Sequence, residues 1–273
     1  MAELYIGTSG YHYPKDWKGV FYPDDVKVKD FLEYYSTQFR SLELNGTYYN
    51  PPSPVQMESM KQRTGGRVKF AVKVYKDITH SPERGKEEIY YKQMIEDKSK
   101  LALLIDSHKK AMEPLQKEKL LLCTLLEFPQ SFHYDDTERK YLDLVIKEFG
   151  DMPLALELRN TEWQKQQVYD GLTQRNVAWV ITDNPALKDL PKLDWVTTSD
   201  MVYFRGNGRN KAMWYKGDAT TRYEWLYSDD ELQGFVEPIK TLLKHAKLVV
   251  IFMNNHAKGY AAINAKKLEL LLR

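Results

Sequence analysis

A single cysteine, Cys123, stands among 273 residues. No intramolecular disulfide can brace the fold, and no Cys-x-x-Cys or His-x-x-x-His pair offers the close ligand spacing of a zinc site. Long apolar runs are also missing: none approaches the ~20 residues a membrane helix needs. Charge of one sign is scarce, since 40 Lys and Arg face 38 Asp and Glu for a formal net charge of +2. That is too little to argue for nucleic acid or an anionic membrane surface. Neither Gly-x-Gly-x-x-Gly nor a P-loop glycine pattern occurs, which weakens the nucleotide-binding doubly wound folds. The opening "MAELYIGT" has no basic segment followed by an apolar one, so no signal peptide is expected and the cytoplasm is the expected location.

What the chain does have is alternation. Eight short β-prone runs recur: "LYIGTS" (4–9), "SLELNGT" (41–47), "VKFAVKVY" (68–75), "LLCTLLEF" (121–128), "LALELRN" (154–160), "AWVITD" (178–183), "MVYFRG" (201–206) and "LVVIFMNN" (248–255). Amphipathic stretches separate most of them, among them "KDFLEYYSTQF", "SPVQMESMKQR", "DDTERKYLDLVIKEFG" and "SDDELQGFVEPIKTLLKHA". In the last, Ser228 followed by Glu231 spells a capping box, and "NAKKLELLLR" reads as a closing helix. Strand–helix alternation implies parallel strands with crossover helices. Eight such units in this length give the expected architecture: an α/β protein with one domain over 1–273, a TIM-type (β/α)8 barrel. It is irregular between strands six and seven, where "NPALKDLPKLDWVTTSD" has little helical period. An open doubly wound sheet is the structural alternative. Cys123, inside "LLCTLLEF", reads as a buried and inert thiol.

The strands end unusually. A strand buried on both faces should be almost wholly apolar. Here Glu43 and Asn45, and again Glu157 and Arg159, stand two apart at the ends of runs, joined by Lys73, Arg205 and Asn254. Residues two apart on a strand share a face. In a barrel these groups converge at the C-terminal rim, where enzymes of this architecture carry their sites. Any one of them could be a solvated strand cap or half of a structural ion pair. Converging charges of both signs would be costly to desolvate without a function, so a pocket is the expected reading.

Two carboxylates in different surroundings can be tuned to opposite roles, which makes Glu43 and Glu157 the candidate acid and base, with His80 in the loop after run three. Lys73, Arg159 and Arg205 would bind an anionic group. Asn45, Asn254, Asn255 and His256 would add hydrogen bonds, and Tyr11, Trp17, Tyr48 and Tyr49 a stacking wall. His108, His133 and His245 lie away from polar strand ends and read as surface residues. Glu43, Glu157 and a histidine could together hold Mg²⁺ or Mn²⁺, but Lys73 and Arg205 would compete with the ion. No metal or other cofactor is therefore expected, with a divalent ion as the alternative. Ser9 in "GTSG" is not a nucleophile elbow, because Tyr11 stands where the final glycine belongs.

"GTSGYHY", "WKG", "FYP", "ELNGTYYNPP", "FAVKVYKDITH", "LLEFPQSF", "LALELRNTEW", "YSDDEL" and "FMNNHAKGYAAINAKKL" together resemble the ordered blocks of the YecE-like family, domain of unknown function 72, over nearly the whole length. The resemblance implies a TIM-type barrel and brings no reaction with it. Against the family pattern, Tyr11 replaces a tryptophan, Glu127 stands at a usual glutamine and Asn160 at a common histidine. "FRGNGRN" keeps Arg205 but lacks the histidine expected beside it. The expected function is an enzyme, a hydrolase, isomerase or lyase, acting on a small anionic sugar, sugar phosphate or nucleotide-like molecule at the barrel mouth. The alternative is a non-catalytic binder of an anionic metabolite or single-stranded nucleic acid. No membrane partner is expected, and oligomeric state is not legible.

Overall fold

The computed structural model describes residues 2–273. Its eight strands are β1 (Glu3–Ser9), β2 (Ser41–Leu44), β3 (Lys69–Lys73), β4 (Leu121–Phe128), β5 (Leu154–Leu158), β6 (Ala178–Asp183), β7 (Met201–Gly206) and β8 (Leu248–Met253). They pair in chain order into a closed parallel barrel, β8 returning to β1 with Glu3 opposite Leu248 through to Thr8 opposite Met253. Closure rules out the open sheet. Three runs coincide with their strands, the first is extended by Glu3, and the other four are cut back at one or both ends. In particular, residues 45–47, 159–160 and 254–255 lie beyond the strand ends, in turns at the mouth.

Among the described residues nine α-helices accompany the strands: α1 (Pro14–Trp17), α2 (Phe31–Gln38), α3 (Pro54–Arg63), α4 (Glu87–Glu96), α5 (Ser99–Lys117), α6 (Asp136–Phe149), α7 (Gln166–Gln174), α8 (Asp229–Leu243) and α9 (Tyr260–Leu272). Three of them, α3, α6 and α8, begin with a side-chain cap. Asp135 accepts the Thr137 and Glu138 N–H groups at the start of α6, and Ser228 and Glu231 form the reciprocal capping box of α8. Residues 184–200, between β6 and β7, contain no helix, as their prolines and weak period predict. Among the described residues, no helix is long and apolar enough to cross a membrane.

Two apolar layers result. Tyr5, Ala71, Cys123, Leu125, Ala155, Val180, Tyr203, Val250 and Phe252 fill the barrel, while a larger layer lies between strands and helices. Cys123 is buried in the inner layer, and its thiol is pushed well above the usual range by burial and then by Glu43. One histidine is misread from sequence: His108 is buried, not on the surface. It continues the inward stripe Leu101, Ile105, Met112, Leu115 of α5, and its Nε2 lies 3.1 Å from Thr124 Oγ1. Its isolation in a polar stretch concealed that helical register.

Candidate functional site

The alternation of each strand sets the site. Along β7, Met201, Tyr203 and Arg205 are successive inward positions, the first two in the apolar barrel filling and the third above them. Ala71 with Lys73, Leu125 with Glu127, and Ala155 with Glu157 repeat the pattern on β3, β4 and β5. Glu127 and Glu157 are direct register partners. The polar residues thus form the top layer of the barrel, on an apolar floor.

Arg205 is the hub and is 2% exposed. Its Nη1 donates to Glu127 Oε2 and Glu157 Oε2, both at 2.6 Å, and its Nη2 to Glu43 Oε1 at 2.7 Å. Tyr203 donates to the other Glu43 oxygen at 2.5 Å. Lys73 Nζ sits 2.9 Å from Glu127 Oε2. Arg159 donates through Nε to Glu157 Oε1 at 3.1 Å, and its Nη1 lies 3.5 Å from Glu127 Oε1. Three carboxylates and three cations therefore balance, which is what permits such burial. Burial alone would raise the Glu127 carboxyl, but Arg159, then Lys73 and Arg205, hold it well below the usual carboxylate range. Both guanidinium groups are held well above their usual range: burial alone would lower them, but the carboxylates outweigh it, Glu127 foremost at Arg159 and Glu43 at Arg205. The Arg205 guanidinium is bonded to all three carboxylates. Among the described residues no group of three or more His, Cys, Asp or Glu is arranged to hold a metal.

Aromatic side chains from the loops collar this layer. The Tyr48 ring lies 4.2 Å from Lys73 Nζ and meets His80 edge-on at 5.0 Å. His80 Nδ1 pairs with Thr79 Oγ1, and the imidazole pKa falls to about 4, chiefly by burial, with Lys73 and Arg159 adding to the shift against Glu127. Opposite, His256 stacks on Tyr13 at 4.5 Å and lies beside Tyr223, whose hydroxyl accepts from Arg159 at 2.8 Å. The His256 Nδ1–H donates to the Asn254 carbonyl, which leaves Nε2 as an acceptor, and burial lowers its pKa. A cavity of about 380 Å³ opens beside the collar, between the loops after β1 and β2. Tyr11 and Asn45 are on its wall, and so are Tyr13 and Tyr49.

The sequence candidates divide accordingly. Lys73, Arg159, Arg205, Glu43, Glu157, Tyr48, His80 and His256 do come together at the C-terminal rim. Glu43 lies deepest, with both oxygens bonded and no exposure, so it anchors Arg205 from below. Trp17 stands behind the wall instead of in it. It is fully buried, and its Nε1–H donates to the His256 carbonyl, tying the β1 loop to the β8 loop. Asn254 and Asn255 also face protein: Asn254 donates to Asn207, and Asn255 to Trp225 O and Asn264. Their donors hold the long segment between β7 and α8. That segment is fastened further by Arg209, which forks onto Asp183, and by Tyr227, whose hydroxyl donates to Asp183.

Sequence reasoning passed over Glu127 as a site residue and did not find Tyr203 or Tyr223. Glu127 carried a signal, since it ends run four as Glu157 ends its own. Tyr203 is recoverable as the position two before Arg205. Tyr223 sits in a single 3-10 turn, Thr221–Tyr223, far from any strand end, and has no local signature.

Comparison with known proteins agrees with this fold. The chain is 28% identical over 280 residues to UPF0759 protein YunF of Bacillus subtilis (strain 168), covering 98% of this chain and 94% of that protein. It is similar to the crystal structure of a DUF72 family protein from Thermotoga maritima MSB8, with 33% identity, a TM-score of 0.86 and 98% of each chain covered. A DUF72 family protein from Enterococcus faecalis V583 shares the fold, with 23% identity, a TM-score of 0.83 and coverage of 99% of this chain and 95% of that one. The model of the family described as "Protein of unknown function DUF72" matches residues 5–273, and the chain belongs to that family.

Proposed function

We propose that the protein is an enzyme that acts on a small, polar, anionic substrate at the C-terminal rim of the barrel, by acid/base chemistry of carboxylates and an adjacent imidazole. The observation that carries this reading is the balanced layer of Glu43, Glu127, Glu157, Lys73, Arg159 and Arg205 beneath the mouth. Such a layer is expensive to desolvate and gives less stability than apolar packing would, so its presence at this end supports a chemical role. Lys73 and Arg159 are its most exposed members and would receive the anionic group, Arg159 with the fork that orients a carboxylate or phosphate. Glu157 and Glu127 would supply carboxylates. Of the Glu127 oxygens, Oε1 is the freer, its ion-pair partner being 3.5 Å away. His80, neutral at pH 7 because its pKa lies near 4, would exchange a proton with the substrate as the uncharged imidazole.

The test is incubation of the protein with a metabolite extract, followed by native mass spectrometry of the protein and metabolite profiling of the solution. Consumption of a metabolite by the wild type and its absence with Glu157→Gln, folded by circular dichroism, is the expected result. The same ion pairs favour a second reading, a binding protein for an anionic metabolite. Every carboxylate is already bonded to a cation, and Glu127 is held in its ionised form as a weak base. Retention of a metabolite with no consumption would select that reading, and neither retention nor consumption would overturn both.

A further inference from the structure

The long segment between β7 and α8 forms a strap at the barrel mouth, and one turn sets its chemistry. Asp218 Oδ1 accepts the Thr220 and Thr221 N–H groups, and the Asn210 side chain donates to the Thr221 and Glu224 carbonyls. Side-chain contacts of this kind shape a loop that has no ladder of its own. They close the turn Thr221–Tyr223, from which the Tyr223 hydroxyl reaches the charged layer. The strap is fastened at its two ends by Arg209 and Tyr227, both on Asp183. Among the described residues, two side-chain hydrogen bonds tie its middle to the chain just after β4 and β5. The exposed Tyr215 accepts from Gln130 Nε2 at 2.9 Å, and Tyr223 accepts from Arg159 Nη2 at 2.8 Å.

The second of those bonds joins the strap to the cations. Arg159 is oriented through all its nitrogens: Nε on Glu157, Nη1 at 3.5 Å from Glu127 Oε1, and Nη2 on Tyr223. Lys73 Nζ stands 2.9 Å from the other Glu127 oxygen. The two cations therefore flank one carboxylate, and Tyr223 borders the second of them. Among the described residues the Tyr223 oxygen only accepts, so its hydroxyl hydrogen is left to donate to a ligand. Lys73 keeps donors as well, since an ammonium carries three N–H bonds and Glu127 takes one. Donors from β3, from the end of β5 and from the strap thus belong to one chain of contacts, Lys73–Glu127–Arg159–Tyr223. A carboxylate presents two oxygens in a plane, whereas a phosphate monoester presents three terminal oxygens spread in space. Three donors on three separate elements match the phosphate.

We infer that Tyr223 is a binding residue for a phosphate monoester. Lys73 and Arg159 supply the charge, and the Tyr223 hydroxyl donates to a phosphate oxygen while still accepting from Arg159. The inference rests on the anionic-substrate reading above and narrows it from anions in general to phosphates. It also gives the strap a part in binding, because the ligand ties its middle to the layer below.

Isothermal titration calorimetry of the full chain with inorganic phosphate and with acetate is the test. Phosphate should bind about tenfold or more tightly than acetate. Tyr223→Phe keeps the ring beside Trp214 and His256 and loses only the hydroxyl. It should weaken phosphate about tenfold or more, the usual weight of a hydrogen bond to a charged group, and leave acetate nearly unchanged. A second readout separates direct contact from mere orientation of Arg159. The Tyr223 Cζ resonance, identified in a carbon-labelled sample by its loss in Tyr223→Phe, should shift as phosphate saturates the protein. Amide exchange across residues 210–224 should slow at the same time. Phosphate binding that is indifferent to Tyr223→Phe, or that leaves the resonance unmoved, overturns the role of Tyr223 while the anionic-substrate reading stands. Acetate binding as tightly as phosphate overturns the phosphate assignment and likewise spares that reading. Binding of neither probe overturns both.

Discussion

At the scale of single residues, Arg205 is where the physical argument is sharpest. A guanidinium that serves three buried carboxylates cannot be removed without leaving negative charge in a dry layer. Arg205→Met should lower stability by about 3–5 kcal/mol, read from urea unfolding, and loss of under 1 kcal/mol would mean that the carboxylates find other partners. His108 gives a pH prediction. Burial lowers its folded pKa to about 4, so between the usual histidine value and about pH 4 the unfolded chain binds a proton that the folded chain refuses. Above pH 6.5 the group contributes nothing to the pH dependence; as pH falls from 6.5 to 4, stability falls, by up to about 3 kcal/mol. His108→Gln should flatten the denaturation midpoint across that window, and an unchanged slope would assign the acid sensitivity to other groups. The charges at the site were legible because each breaks an apolar run. His108 was not, because its register depends on a helix whose start carries no side-chain cap.

At the scale of elements, the existence and order of the strands were the most legible feature, since short apolar runs alternate with amphipathic stretches. The turns beyond them were not. Residues 45–47, 159–160 and 254–255 read as strand because local composition does not record where a neighbouring strand stops pairing. Two element-level substitutions test the packing. A Cβ at Gly7 of β1 would overlap the Ser41 carbonyl oxygen on β2. Gly7→Ala should therefore force the two strands apart and cost about 1–3 kcal/mol in a thermal or urea melt. Ser228→Ala removes the reciprocal cap of α8 and should cost about 1 kcal/mol, with no change in ligand binding by calorimetry. A larger loss at Ser228 would show that α8 also secures the Arg209 strap through Glu231, which bonds to both.

For the whole molecule, the fold follows from counting units, whereas the site depends on which inward positions share a level. The count needs only local pattern, while the levels need register, which a single chain does not display. Hence Glu127 and Tyr203 were missed although both obey the alternation that exposed their neighbours. The molecule is closed by its C-terminal helix. Asn264 on α9 accepts from Tyr227 N–H and Asn255, and donates to the Tyr227 carbonyl. A chain ending at Gly259 should lose near-ultraviolet circular dichroism and cooperative melting, and a sharp transition in that truncated chain would show that eight strands suffice.

The hub position of Arg205 also has a meaning in time. On the ribosome Glu43, Glu127 and Glu157 emerge first, and their shared counter-charge follows only after two further strands have begun. Until β7 arrives, Lys73 and Arg159 can serve Glu127 and Glu157, but Glu43 has no cation and the layer is one positive charge short. The ion-pair layer can therefore be completed only once β7 is available.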